Sequence, residues 1–257
     1  MSRVLRRLTL LGPAILLIAG AGCDFEIPED KGPSTVIFVG VDASGSFKNS
    51  GYYNNSIDFL AQYLHAHFVE AGGLARPKAL FVGTVGGKRH GEPKTFHPIH
   101  DFDGKSVTQI RSDLKSWFTA DDTLTDFNSF FAEVARITKE RNLVLSPITI
   151  MMVTDGIPDA VGVREGSDKL YKQIDLKPLE YLSRNTTIRM AYVSPTVAKK
   201  WRTLVPRERV RLWTIDAQVM KRWKEHMEPN VAFADQEKFW EWMRDNVNFP
   251  IRATKVY

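Results

Sequence analysis

With a single cysteine, Cys23, among 257 residues, the chain has no second thiol for an internal disulfide. The fold must therefore be held by its apolar core rather than by covalent staples. An unbroken apolar stretch of the ~20 residues that a spanning helix needs is also missing. The run over residues 8–18 comes nearest, and Gly12 and Pro13 interrupt it. Charge of one sign is scarce. The formal net charge is +5, but removing Arg3, Arg6 and Arg7 from the 35 basic residues leaves 32 against 30 acidic. A balance of about +2 makes no electrostatic case for nucleic acid. Internal repeats and low-complexity tracts are absent too. What remains is 43% hydrophobic and 25% charged content, ordinary globular composition with room for one large α/β domain.

The three early arginines, the apolar run and the small residues Ala19, Gly20, Ala21 and Gly22 ahead of Cys23 read as an export signal. Together they resemble a bacterial lipobox, in which the cysteine is acylated and becomes the new N-terminus; Gly20 departs from the usual aliphatic residue three positions before it. The alternative is a plain signal peptide or uncleaved anchor. The resemblance implies a signal peptide over residues 1–22, a lipidated Cys23, and a domain held in the bacterial cell envelope facing the periplasm. Asp24 resembles an inner-membrane retention signal. Residues 24–34, acidic and with two prolines, suit an extended linker, so the domain is expected over residues 35–257.

Residues 36–41 are an unbroken, largely β-branched apolar run, as is 148–153, and such runs mark strands buried on both faces of a mostly parallel sheet. Further strands are expected over 79–85, 94–99, 188–193 and 210–215. The short Gly-rich link over 86–91 predicts that the second and third strands pair antiparallel. Helices are predicted over 53–71, with Gly72 and Gly73 as the stop, from Val107 to Trp117, from near Thr125 onward, over 196–204, over 217–227 and over 236–246. The stretch 157–185 is a long connection whose clear helix begins near Pro178. Strands separated by helices imply a doubly wound α/β sheet with helices on both faces and ligands at the carboxyl ends of the strands.

At the end of the first central run stands Asp42-Ala43-Ser44-Gly45-Ser46, and Thr154-Asp155-Gly156 follows the other. Two hydroxyls and carboxylates leaving neighbouring strand ends are a partial oxygen shell for a hard divalent cation. With Thr125 at the opening of a helix, these pieces make the chain resemble a von Willebrand factor A domain carrying a metal-ion-dependent adhesion site. The resemblance covers about residues 35–246 and implies six strands in the order 3-2-1-4-5-6, the third antiparallel. It implies Ser44 and Ser46 binding the cation directly, Thr125, Asp42 and Asp155 directly or through water, and a Glu or Asp of a protein partner completing the shell. Thr123 could align in place of Thr125. Mg²⁺ is the expected ion, with Mn²⁺ or Ca²⁺ as alternatives. Phe47, Asn49, Asp126 and Pro158 are expected on the rim, and the last helix is the element that shifts in relatives.

These readings make the chain a membrane-tethered, cation-dependent protein-binding module and not an enzyme, with no small-molecule substrate. Two alternatives remain. One is a structural envelope subunit whose metal only stiffens loops. The other is a metal-dependent phosphatase using Asp42 as nucleophile, although such a site wants a second acid where Ser44 stands. A serine-hydrolase role for Ser44 lacks the Gly-x-Ser-x-Gly elbow. His97, His100, Asp101 and Asp103 read as a turn rather than a zinc site. His65 and His67, two apart on a helix, face different ways. The basic stretch over 199–211 reads as a solvated helix face, with anionic lipid as the alternative.

Overall fold

Six consecutive buried residues, Val36–Val41, form strand β1. Parallel neighbours flank it on both sides: β2 (Ala79–Thr84) and β6 (Ile148–Val153), paired Val36↔Ala79 and Val36↔Ile148 at one end and Val41↔Thr84 and Val41↔Val153 at the other. The sheet continues through β7 (Thr186–Val193) to the edge strand β8 (Arg211–Asp216), and on the other side through the antiparallel β4 (Phe96–Pro98). The computed structural model describes residues 34–248 apart from 90, 120, 121, 161, 183 and 184. The chain separates into Met1–Lys31 and Gly32–Tyr257. Cys23, the leader and the linker up to residue 33 lie outside the described residues. Among those described, no helix is long and apolar enough to cross a membrane.

Side chains of β1 alternate between two cores, as a strand's two-residue period requires. Ile37, Val39 and Val41 enter one core; Val36 and Phe38 enter the other. The first core is closed by α2 (Tyr53–Phe68), α3 (Val107–Trp117) and α9 (Glu237–Asn246), and the second by α4 (Phe127–Glu140), α6 (Lys177–Glu180) and α7 (Pro195–Leu204). Gly40 sets the approach of α4. A Cβ there would stand 2.8 Å from Val85 and 2.9 Å from Phe130, inside van der Waals contact. Caps fit the helix starts: Ser106 and Gln109 form a capping box on α3, and Ser194 caps α7.

The mixed α/β sheet agrees with the expectation, but its numbering does not. Two-residue strands β3 (Gly86–Gly87) and β5 (Leu124–Thr125) pair in a ladder of their own. With eight strands counted, the large sheet therefore reads β4-β2-β1-β6-β7-β8. Three helix boundaries are also corrected. Thr125 does not open a helix; it ends β5, and Asp126 is the cap from which α4 starts at Phe127. The helix expected over 217–227 breaks into α8 (Ala217–Met220) and a 3-10 turn, Trp223–His226. α2 stops at Phe68, and a 3-10 turn, Ala71–Gly73, follows, with Gly72 at φ 62°. In the long connection a short helix, α5 (Asp168–Lys172), precedes α6.

Candidate functional site

Equal register at Val41↔Val153 makes the next residue of each strand a neighbour of the other. The Asp42 amide donates to Val153 O at 3.0 Å, and the Thr154 hydroxyl donates to Asp42 Oδ2 at 2.6 Å. The other carboxylate oxygen, Oδ1, accepts the Ser44 amide at 3.0 Å, a local Asx turn that bends the chain off the strand. The turn leads into α1 (Gly45–Asn49). Ser44 Oγ and Ser46 Oγ then lie 3.2 Å apart. Ser44 caps α1 only weakly, at 3.5 Å from Phe47 N, which leaves its oxygen available to another partner.

Asp155 joins the group from β6. Its carboxylate accepts the Ile157 amide at 2.9 Å and hydrogen-bonds the Ser46 side chain. Gly156 makes that turn possible. Its φ is +74°, and a Cβ there would meet Trp201 Nε1 at 3.0 Å, while the same indole N–H donates to Gly156 O at 2.7 Å. Burial, and then the nearby Asp42, push the Asp155 carboxyl up to about 7. Burial likewise raises Asp42, against the hydrogen bonds from Ser44 and Thr154. The largest influences on either, among the described residues, include no cationic side chain. A buried and a half-buried carboxylate that repel each other beside two close hydroxyls are the surroundings that a hard divalent cation would relieve. The donor set thus fits such an ion. Among the described residues no group of three or more His, Cys, Asp or Glu side chains gathers as a metal site, so the fit rests on the serine hydroxyls.

Asp42, Ser44, Ser46 and Asp155 are joined directly. Thr125 is buried in a different setting and contacts none of the four by hydrogen bond among the described residues: it pairs with Gly86, and its carbonyl accepts Asp159 N at 3.4 Å. It lines a separate depression of about 280 Å³ with Pro158, Asp159 and Gln173, whereas Ser46 and Asp155 line a cavity of about 590 Å³. Thr123 bonds Gly87 O and Lys88 O and faces the β3 loop.

The four residues expected on the rim lie in different settings, Asp126 and Pro158 lining the same depression as Thr125. Phe47 is fully buried and packs edge-on against Tyr53 and Tyr192, supporting the Ser44–Ser46 turn from below. Asp126 is buried as the α4 cap, accepting Ser129 N, Ser129 Oγ and Gly91 N. Pro158 is buried, and Asn49 remains exposed.

Thr154, inside the Thr-Asp-Gly stretch, and Asp122, in no motif, belong to the site as well. Thr154 is the residue that orients Asp42. Asp122 reaches the site through space: its amide donates to Ala43 O at 3.2 Å, its carboxylate accepts Thr84 Oγ1 at 2.7 Å, and its charge bears on Asp42. His97, His65 and His67 have ordinary structural partners. His97 stacks on Trp117 at 3.7 Å and meets Asp101 at 3.2 Å, while Asp103 pairs with Arg76. His65 and His67 bond separate carbonyls, Lys105 O and Ala75 O. The aromatic residues of α9, Phe239, Trp240 and Trp242, are core.

No family model and no curated protein sequence matches the chain. Among solved structures, similarity is found to proximal thread matrix protein 1 from the mussel byssus (14% identity, TM-score 0.42, 75% of this chain and 46% of that one). It is also found to the pilus adhesin SpaC from Lactobacillus rhamnosus GG (11%, 0.44, 75% and 29%) and to the human COPII-coat protein Sec24c (11%, 0.42, 74% and 32%). The chain spans less than half the length of each. At these similarities the likeness concerns backbone path and says nothing of chemistry.

Proposed function

We propose that residues 35–257 are a von Willebrand factor A-like domain with an adhesion-type metal site, acting as a lipid-tethered, divalent-cation-dependent protein-binding module of the bacterial envelope. The observation that carries this reading is the hydrogen-bonded set Asp42, Ser44, Ser46 and Asp155 at the adjoining ends of β1 and β6. Ser44, Ser46, Asp42 and Asp155 would hold Mg²⁺, or Mn²⁺ or Ca²⁺ in its place, with Thr125 at the margin. When bound, the ion supplies an electrophilic position for an Asp or Glu of a protein partner. Thr154 keeps Asp42 turned toward the serines, and Gly156 lets Asp155 fold back over them. Substrate turnover has no place in this scheme.

Isothermal titration with Mg²⁺ and Mn²⁺ tests the site. The wild type is expected to bind, and Asp42→Ala is expected to lose the response. Equal affinity in the two proteins would remove the reading. A protein retained by the chain from envelope extract in Mg²⁺ should be released by chelator and should not be retained by Ser46→Ala. Mass spectrometry of the mature N-terminus should find a diacylglycerol-modified Cys23; a free or absent cysteine ends the tether.

A further inference from the structure

The cavity that receives Ser46 and Asp155 extends past them, from the end of β6 to the first turns of α7 and α8. At about 590 Å³ it is far larger than one carboxylate requires. Tyr52, Tyr171 and Tyr192 supply aromatic wall, the Tyr52 and Tyr192 rings lying 5.9 Å apart. Its ionisable lining is Asp155, Glu165 and Asp216 against Lys200 and the tyrosines. The lysine is engaged already, donating to Gly166 O at 2.8 Å, pairing with Asp168 at 2.9 Å and lying 5.4 Å from the centre of the Tyr171 ring, so Tyr52 and Tyr192 are the rings left to a ligand. A cation bound among the serines would offset Asp155, yet Glu165 would still face the space, as would Asp216, whose Oδ1 accepts Gln218 N at 2.6 Å and whose charge remains. The start of α7 does little to reverse that sign. Pro195 has no N–H, and the Val197 amide is directed at Ser194 Oγ, 3.4 Å away.

We infer that this cavity receives a basic side chain, arginine in preference to lysine, from the same partner whose carboxylate would complete the metal shell. The inference rests on the reading above for its partner, and on the cavity's own charge and rings for its chemistry. Acidic groups on the lining favour a positive head, and aromatic walls favour the planar guanidinium, which stacks on rings and hydrogen-bonds carboxylates in its plane. The motif recognised is therefore a short segment with an acidic and a basic residue close together, not an isolated acid.

The test uses a display library of heptapeptides with one fixed Glu, selected on the full-length chain in Mg²⁺. Arginine is expected to be enriched roughly fivefold within three positions of the Glu. In the double variant Glu165→Gln/Asp216→Asn this enrichment should vanish while chelator-reversible retention of Glu peptides persists. Both changes spare the fold, since Glu165 is exposed and asparagine caps α8 as well as aspartate does. Glu peptides retained in Mg²⁺ without a basic preference would overturn the cavity inference and leave the metal reading standing. Absence of any Mg²⁺-dependent retention would overturn the metal reading and the shared partner together. Arginine amide titrated against Asp42→Ala then decides the cavity chemistry alone. Saturable binding, weakened about tenfold in the double variant, supports it, and no binding overturns it.

Discussion

Replacing Asp155 with asparagine should stabilise the cation-free protein and abolish its response to Mg²⁺. Burial and Asp42 move the Asp155 carboxyl from 3.8 up to about 7 in the folded chain, so between those values the unfolded chain has lost a proton that the native state keeps. Stability attached to this group is full below pH 3.8 and falls as pH rises toward 7. A displacement of some three pH units corresponds to at most about 4 kcal/mol, shared with the Asp42 carboxyl that titrates with it and fully expressed above pH 7. Asparagine keeps an oxygen for the Ile157 amide and an amide group for Ser46, and it carries no charge for Asp42 to repel. Recovery of about 3 kcal/mol is expected in chelator at pH 8, a rise of roughly 6–12 °C in Tm for a domain of this size. Wild type in Mg²⁺ should gain similarly, because the ion supplies the missing countercharge. Its apparent Mg²⁺ affinity should weaken by up to about tenfold per pH unit below 7, as the ion competes with the proton. Thermal melts of both proteins, in chelator and in Mg²⁺ at pH 5 and pH 8, give the comparison. If Asp155→Asn melts below wild type in chelator at pH 8, or still gains from Mg²⁺, the electrostatic account of the site is wrong.

Three further outcomes follow from single contacts. Thr154→Val removes the hydroxyl that donates to Asp42 at 2.6 Å; a lost hydrogen bond to a buried carboxylate costs about 1.5–3 kcal/mol, and calorimetry should find Mg²⁺ affinity reduced more than tenfold. Gly156→Ala forces a side chain into a +74° φ against Trp201, so chemical denaturation should show a loss of about 1–3 kcal/mol together with weaker cation binding. Burial lowers His67 to about 4, which makes the native state resist its protonation: stability is lost as pH falls from 6.5 to about 4, by roughly 3 kcal/mol, and His67→Gln should flatten that limb of a urea-midpoint profile.

Much of the sheet was legible because its central strands are long, apolar and terminated abruptly. Val36–Val41 and Ile148–Val153 could hardly be anything but buried strands, and the site motifs sit directly after them. Thr125 was misplaced for a definite reason. The helical periodicity of α4 runs back toward it, but Asp126 accepts the Ser129 amide and holds the chain extended just before the helix. That leaves Leu124 and Thr125 to pair with Gly87 and Gly86, positions 37 and 39 residues away in the chain, a contact no local pattern announces. Phe47 was read as rim because it follows the serines; a one-turn helix then rotates its ring into the core beneath them. Asp122 was invisible because its link to Ala43 joins two loops, and only the folded sheet brings them together.

Strand register explains why half of the site could be counted and half could not. β1 and β6 end as partners, so Asp42 and Thr154 are adjacent by position, and Ser44 and Asp155 follow within three residues of each strand end. No loop length enters that count. Thr125 and Asp122, by contrast, depend on the path of the chain between α3 and α4. This difference is testable by insertion. One alanine added between Val153 and Thr154 would displace Thr154 from the Asp42 carboxylate and move Asp155 away from Ser46, so Mg²⁺ binding by calorimetry should be lost even where circular dichroism shows the sheet intact. One alanine added after Gly162, an exposed turn with open space around it, should leave binding within about twofold of wild type. If both insertions were tolerated equally, the oxygens would not be held by the paired strand ends, and the cation reading would lose its geometric basis.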